Sequence, residues 1–589
     1  MVQELVAAGD QLCSSLDRYV RACSSTRAAC LSGGRLDDSP ELRKSLEKQS
    51  NDIMSHITKL EDARAAVQAV RSNIPKLTPI NDLPVEILAR IFHLFLPDQS
   101  CLVQRGYTGK ITKIKYPLYP DTLAQVCSYW RQIAVASPEL WTHIDIVLDH
   151  PLNPGLFARA KVYATRAGRL PLEIHISDPG SEREKTQFQA TQDGGTTTRG
   201  NRSKLSHEWE DLHDFKIFTS DIVPIKTLEL DLCIYDRIRE IYYSLLEYFF
   251  AHCEGGVLTK YIVRRNPGWV ISCPFIEPAE TPHSRDGALL AVPIRHLDDV
   301  WFRISSIRAN ALYPHWKSKI YHGLVELYID KEIPEISESQ LVNILRSSPN
   351  LQVFHFDALL EAITDHEIID PVYLEDLREL KLVLRCDSEA TSASRILQYI
   401  APGSKPLQLS VANAEEWDIA NFFSRANVTR FYGWGVSDMI PILSQCRLLE
   451  VLVLNEQDLG TQNLNSVIDR SFDSDDSDGG VAITYTSRPS SSTRINTLYL
   501  LWYSHFVFEQ LQAVVEKHSV QRLIIYYGRL SYQTDEGRVL CNNTRNIRAK
   551  LSTITSCPHI EYHPNGYPDS YLDGNPNDTD AWIRDASRS

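Results

Sequence analysis

No apolar run in the 589 residues approaches the ~18–20 needed to cross a bilayer, which excludes a spanning helix. Positive charge is in deficit. Against 61 Lys and Arg stand 75 Asp and Glu, a net charge of -14, which excludes a general binder of nucleic acid or of anionic membrane. The first residues, Met1-Val2-Gln3-Glu4, bring an early acid and no basic segment, so no secretory signal is expected. The 12 cysteines form no C-x-x-C pair and no His/Cys cluster at zinc spacing. They are expected to be reduced, mostly buried thiols of a cytoplasmic or nuclear protein, with no structural metal. Catalytic signatures are missing as well. There is no G-x-S-x-G, no phosphate-cradling Gly-Lys-Ser/Thr loop, no G-x-G-x-x-G and no H-E-x-x-H. His143, His175 and His296 sit in apolar, strand-like contexts and read as structural histidines. The carboxylate pairs Asp298-Asp299 and Glu415-Glu416 have no convergent partner. The expectation is a binding protein with no catalytic residue and no cofactor.

What is present is ordinary globular material, 43% hydrophobic and 23% charged, and too long for one core. Residues 1–72 read as a helical stalk. A Ser/Gly/Asp break ends with Ser39-Pro40, a helix start, because proline suits the first helical position. Beyond it Leu46, Ile53, Leu60 and Val67 recur every seven residues, flanked by Leu42 and Ile57. That seam fits either an amphipathic helix lying on the next domain or a short coiled coil that pairs chains weakly, with Gln49 and Arg64 interrupting it.

Residues 79–141 hold two short helical patterns. Asp82 can cap a helix whose first turn holds Pro84 and Glu86, with Ile87, Leu88, Ile91, Phe92 and Phe95 on its apolar side. Residues 98–120 read as an inserted exposed loop. Asp121 then caps a second helix bearing Leu123, Val126, Cys127, Trp130 and Ile133, and Pro138, Leu140 and Trp141 close the module.

The order Leu83-Pro84-Val85-Glu86-Ile87-Leu88, Ile91-Phe92, Val126-Cys127, Trp130, Ile133-Ala134 and Pro138-Glu139-Leu140-Trp141 resembles the F-box. The departure is the insertion, since the compact family form joins its helices by a shorter loop. With its N-terminal stalk and long divergent tail, the layout is similar to that of the large fungal set of F-box proteins. The resemblance implies a module that docks on the Skp-type adaptor of cullin–RING ubiquitin ligases, and through it on cullin. Carried onto this chain, the adaptor-binding residues are Leu83, Pro84, Glu86, Ile87, Ile91, Val126, Cys127 and Trp130. So small a unit cannot bury all the apolar surface these residues offer, which independently calls for a partner.

Residues 142–220 read as a connecting region, with strands near His143–Leu148 and Leu170–Ile176, a helix over 155–168 and a disordered insertion at 181–206. A repeat of the form Leu-x-x-Leu-x-Leu then begins. It occurs at Ile225–Leu230, Leu324–Ile329, Leu351–Phe356, Leu377–Leu382, Leu449–Leu454, Ile495–Leu500 and Val520–Ile525, with looser copies at Leu407 and Val428. Several copies follow a capped amphipathic helix, such as Ser337–Leu345 or the helix opened by Asn413 and Glu416 with Trp417, Ala420 and Phe423 on its apolar face. The expected fold is therefore α/β: stalk, small helical F-box, and an irregular leucine-rich-repeat-type solenoid over 221–562. It is interrupted by a disordered acidic loop at 469–493 and followed by a loose tail from 563. Asparagine after the strand, usual in such repeats, is present only near Asn455. The functional expectation is the substrate-recognition subunit of a Skp–cullin–F-box ubiquitin ligase. Its unknown protein substrate would lie on strand-face residues such as Glu326, Tyr328, His355, Lys381 and Tyr499. The alternative is a non-catalytic scaffold with the same parts and no link to ubiquitination.

Overall fold

The computed structural model describes residues 2–564 except 32–39, 73–78, 96–102, 106–110, 115–118, 148–152, 179–216, 219, 233–239, 266–274, 281–286, 330–335, 358–359, 361–369, 384–390, 413, 435, 437, 447, 456–463, 465–492, 502–504, 527, 535–536 and 542. The disordered insertion, almost all of the acidic loop and most of the tail expected from the sequence lie outside the described residues. The chain divides into two compact units, residues 1–88 with 123–133, and residues 89–122 with 134–589.

The first unit opens with two long helices, α1 (Val2–Leu31) and α2 (Pro40–Ser72). Pro40 is the first residue of α2, where a missing N–H costs nothing. Tyr19 Oη donates to Gln49 Oε1 at 2.9 Å, tying the two helices. The heptad positions Leu46, Ile53, Leu60 and Val67, and Ile57 beside them, are all exposed. So are Leu5, Leu12, Leu16 and Val20 of α1.

The second unit is built on a 14-stranded sheet. Its strands are β3 (His143–Val147), β4 (Leu172–Ser177), β5 (Ile225–Leu232) and β6 (Lys260–Arg265), then Ser306–Ala309, Glu326–Ile329, Val353–Phe356, Glu379–Val383, Leu407–Ala412, Val428–Trp434, Leu448–Asn455, Arg494–Leu501, Arg522–Tyr526 and His559–His563. Every neighbouring pair is parallel, and the spatial order follows the chain without reversal. One face of the sheet carries the apolar alternation: Ile144 and Ile146, Ile174 and Ile176, Leu228 and Leu230, Leu327 and Ile329, Leu380 and Leu382, Leu452 and Leu454, all buried. Each such side chain taken from water contributes roughly 1.5–3 kcal/mol, so the stacked strand face is the core.

Three expectations need correction here. The array does not begin near residue 221. β3 and β4 already belong to the sheet, in register with β5 through Ile174↔Leu228. Two strands between Leu230 and Leu324 escaped the repeat pattern because Tyr261, Val263, Ile307 and Ala309 replace leucine at the buried positions. Third, the insertion is not only loop. β1 (Val103–Arg105) and β2 (Ile111–Ile114) pair antiparallel, Val103 opposite Ile114.

The caps divide similarly. Ser337 closes a full capping box with Gln340 on helix Glu338–Arg346. Helix Glu416–Arg425 instead starts from Glu415 with no side-chain cap, and Asn413 is outside the described residues. Trp417, expected on that helix's apolar face, is 72% exposed, while Ile419 and Phe422 are buried. Ala420 and Phe423, the other two residues expected on that face, are buried as well, so only Trp417 departs from it.

Candidate functional site

The module at residues 79–141 is built from a 3-10 turn (Pro79–Asp82) and three short helices, α3 (Val85–Leu94), α4 (Asp121–Val126) and α5 (Ser128–Val135). Pro84, not Asp82, stands at the start of α3, because its carbonyl accepts from the N–H groups of Ile87 and Leu88 at 3.0 and 3.1 Å. Asp121 is the first residue of α4, and its carboxylate pairs with Arg159 at 2.9 Å. The expected single second helix is two helices, broken at Cys127. There the Cys127 sulfur accepts from the Trp130 N–H at 3.4 Å, and its carbonyl from the Arg131 N–H at 3.0 Å. The thiol thus takes the capping role usually given to a serine or aspartate oxygen.

One hydrogen bond joins the halves of the module across the insertion, and a second ties the end of the insertion to α3, each inside one compact unit. Trp130 Nε1 donates to Asn81 Oδ1 at 2.8 Å. Tyr119 Oη donates to the Phe92 carbonyl, and burial pushes the Tyr119 phenol up to about 12. Neither Asn81 nor Tyr119 stood out in the sequence, because each is polar and acts only through a distant partner. Leu88, Phe92, Leu123, Ile133, Ala134, Leu140 and Trp141 are buried, and Trp141 Nε1 donates to the Ala134 carbonyl at 2.8 Å.

Of the eight expected adaptor-binding residues, Leu83, Pro84, Glu86, Ile87, Val126, Cys127 and Trp130 fall in the first unit, and Ile91 in the second. Pro84 and Glu86 are exposed, and Ile87 and Val126 are apolar yet 48% and 55% exposed. Leu83, Ile91, Cys127 and Trp130 are half-buried. Val85 is a further exposed apolar residue beside them that sequence reasoning passed over, and Leu94 and Phe95 are exposed at the other end of α3. Residues 80–147 match the family model of the F-box-like domain. The chain contains an F-box-like domain. F-box domains as a family bind Skp-type adaptors, and proteins that carry them are as a class non-catalytic. No curated protein matches the chain significantly. The F-box-like match ends inside the sheet, at Val147, the last residue of β3. No helix among the described residues is long and apolar enough to cross a membrane.

The sheet face opposite that apolar alternation is the second candidate surface. One continuous row runs Asp145, His175, Glu229, Ile262, Arg308, Tyr328, His355, Lys381, Ser410, Tyr432, Val453, Tyr499, Ile524 and Glu561. Tyr328, His355 and Lys381 are direct neighbours on it, while Tyr499 lies four strands beyond Lys381. Glu326 lies one step back, beside Ser306, whose hydroxyl donates to its carboxylate at 2.7 Å. Arg308 stacks over Tyr328 at 5.0 Å, the Tyr328 and His355 rings meet edge to face at 4.4 Å, and His355 Nε2 lies 2.5 Å from Glu379. The strip is partly polar and aromatic, and His355, Ser410, Tyr432, Val453, Tyr499 and Ile524 on it are buried.

Proposed function

We propose that the chain is the substrate-recognition subunit of a Skp–cullin–F-box ubiquitin ligase. Its F-box-like domain docks on the Skp-type adaptor through Leu83, Pro84, Glu86, Ile87, Ile91, Val126, Cys127 and Trp130. Its sheet, a leucine-rich-repeat-type solenoid in this reading, holds a protein substrate on the strip from Arg308 to Tyr499. The observation that carries the docking assignment is the exposure of Ile87 and Val126, apolar side chains on a domain whose family binds that adaptor. Catalysis belongs to the partners. This chain supplies proximity, raising the effective concentration of substrate lysines near the charged conjugating enzyme.

The test is capture of a purified Skp-type adaptor by the full chain. Ile87→Glu adds an acid near the N-terminus of α3 and Val126→Lys adds a base at the C-terminus of α4, so both suit their helix dipoles. The double variant should keep the wild-type melting temperature and bind at least ~10-fold more weakly, the loss of about 1.4 kcal/mol or more that an apolar anchor supplies. Unchanged binding sinks the docking assignment.

One observation favours the scaffold reading: α1 and α2 expose Leu12, Leu16, Leu46, Ile53, Leu60 and Val67. A second copy could cover these residues as a short coiled coil. Adaptor capture that never brings cullin, together with a dimer in sedimentation that Ile53→Lys dissolves, would favour that reading over the ligase.

A further inference from the structure

The N-terminal end of the recognition face carries a group of side chains that neither docking nor substrate binding uses. Register sets Asp145 of β3 opposite His175 of β4, and His175 opposite Glu229 of β5. One step along, Ser177 opposes Asp231, and one step back His143 opposes Glu173. Three ligand atoms converge. His143 Nε2 is 3.2 Å from Asp145 Oδ1, and His175 Nδ1 is 3.3 Å from the same oxygen. Both spacings are close to about 3.4 Å, the edge of a tetrahedron whose metal–ligand bonds are about 2.1 Å. The Asp145 and His175 side chains are 5% exposed and His143 is 35% exposed, so the group is closed on the sheet side and open beside His143.

The surroundings hold the His175 ring in place. His175 Nε2 lies 2.8 Å from Asp231 Oδ2, and His143 Nδ1 lies 4.0 Å from Glu173 Oε2. A carboxylate on the far nitrogen favours the tautomer whose near nitrogen carries its lone pair toward the site, and makes that nitrogen a better ligand. Among the described residues, Asp145, Glu173, Glu229 and Asp231 face this group, with Lys226 on Glu173 and Arg264 on Glu229 and Asp231.

We propose that His143 Nε2, Asp145 Oδ1 and His175 Nδ1 bind one divalent transition-metal ion of the zinc class, with Asp231 supporting the His175 imidazole from behind. Two imidazoles with one carboxylate suit Zn²⁺, Co²⁺ or Ni²⁺ and not Mg²⁺ or Ca²⁺, which take oxygen ligands. Three protein ligands leave a fourth position open on the His143 side. The ion clips β3 to β4 and so pins the strand that begins the sheet. No sequence signal marks the site. Two ligands are separated by one residue on one strand and the third is thirty residues away on another, a spacing that matches no zinc motif.

The experiment strips the full chain with chelator, then titrates it with Zn²⁺ and with Co²⁺, reading stoichiometry by calorimetry and coordination from the visible Co²⁺ bands. The wild type should bind one ion per chain with the strong absorption of a four-coordinate site, and Zn²⁺ should raise its melting temperature. His143→Ala and Asp145→Asn should each weaken binding by more than ~10-fold, and Asp231→Asn by roughly 10- to 100-fold. His355→Ala, a histidine elsewhere on the same face, should change neither stoichiometry nor affinity. His143 is partly exposed, so its variant should fold and melt with the wild type in chelator, yet gain nothing from Zn²⁺. No stoichiometric site at ~10 μM metal, a range far weaker than structural zinc binding, overturns the proposal. Affinities in His143→Ala and Asp145→Asn within about twofold of wild type, well short of the ligand-loss effect, overturn it too.

Discussion

Trp130 shows how a single residue in the F-box-like domain divides its atoms between holding the domain and offering a surface. Its indole N–H is committed to Asn81 at 2.8 Å, while its ring is only half-buried. Trp130→Phe keeps most of the ring and removes the donor, leaving the Asn81 oxygen short of one partner. The expected cost is about 1 kcal/mol in a urea titration of the full chain, the net worth of one such bond. Adaptor binding should change far less than in the Ile87→Glu, Val126→Lys variant. The family spacing made Trp130 visible in the sequence. Its partner was not visible, because an asparagine in a Pro-rich turn reads as turn chemistry until a helix 49 residues away is placed against it.

At the scale of the element, Ser337 and Gln340 carry a full capping box, with Gln340 Oε1 accepting from the Ser337 N–H at 3.0 Å and Ser337 Oγ from the Gln340 N–H at 3.3 Å. Ser337→Ala should lower stability by about 1 kcal/mol, measured as a shift in urea midpoint at constant slope. An unchanged midpoint would mean that packing of Leu341, Ile344 and Leu345 alone sets that helix. Elements governed by such local chemistry were legible: Pro40 starting α2, Ser337 starting its helix, and apolar alternation marking most strands. Elements decided by a neighbour were not. The helix break at Cys127 depends on a sulfur cap that no residue preference announces, and the exposed phase of Trp417 depends on which side of its helix the next element covers. At Gly403 a Cβ would meet the Glu375 backbone, with the Glu375 Cα at 2.9 Å. That close approach arises only from how one repeat stacks on the previous one.

For the whole molecule, the sheet sets a limit at alkaline pH. Burial pushes the Cys253 thiol up to about 12, partly offset by a backbone hydrogen bond of Ile225, and pushes Cys446 up to about 11 and Tyr119 to about 12. A raised folded value means that unfolding lets these groups ionise at lower pH. Their contribution is therefore complete below the unfolded values, about 8.5 for the thiols and about 10 for the phenol, and is lost as pH climbs toward the folded values. Between about pH 9 and 11, stability should fall by up to about 1.4 kcal/mol per pH unit for the fully buried Cys253 alone. Urea midpoints across that range test this, and a flat profile would contradict it. In native protein at pH 8, exposed Cys13 and Cys23 should be labelled by a thiol reagent well before Cys253.

The sequence by itself determined the parts. Period-two apolar positions made strands, a seven-residue seam made α2, and a short order of Leu, Pro, Ile, Cys and Trp marked the F-box-like domain. Each is a local pattern read along the backbone, and local chemistry suffices to state it. The tertiary structure decided what lies beside what: that the sheet starts at β3, that Ile87 and Val126 face outward, and that His143, Asp145, His175 and Asp231 meet on one face. Those outcomes follow from strand register. Pairing β3 with β4 and β4 with β5 is fixed by burying Ile144, Ile174 and Leu228 together. The polar side chains on the opposite face are carried into contact by that apolar match.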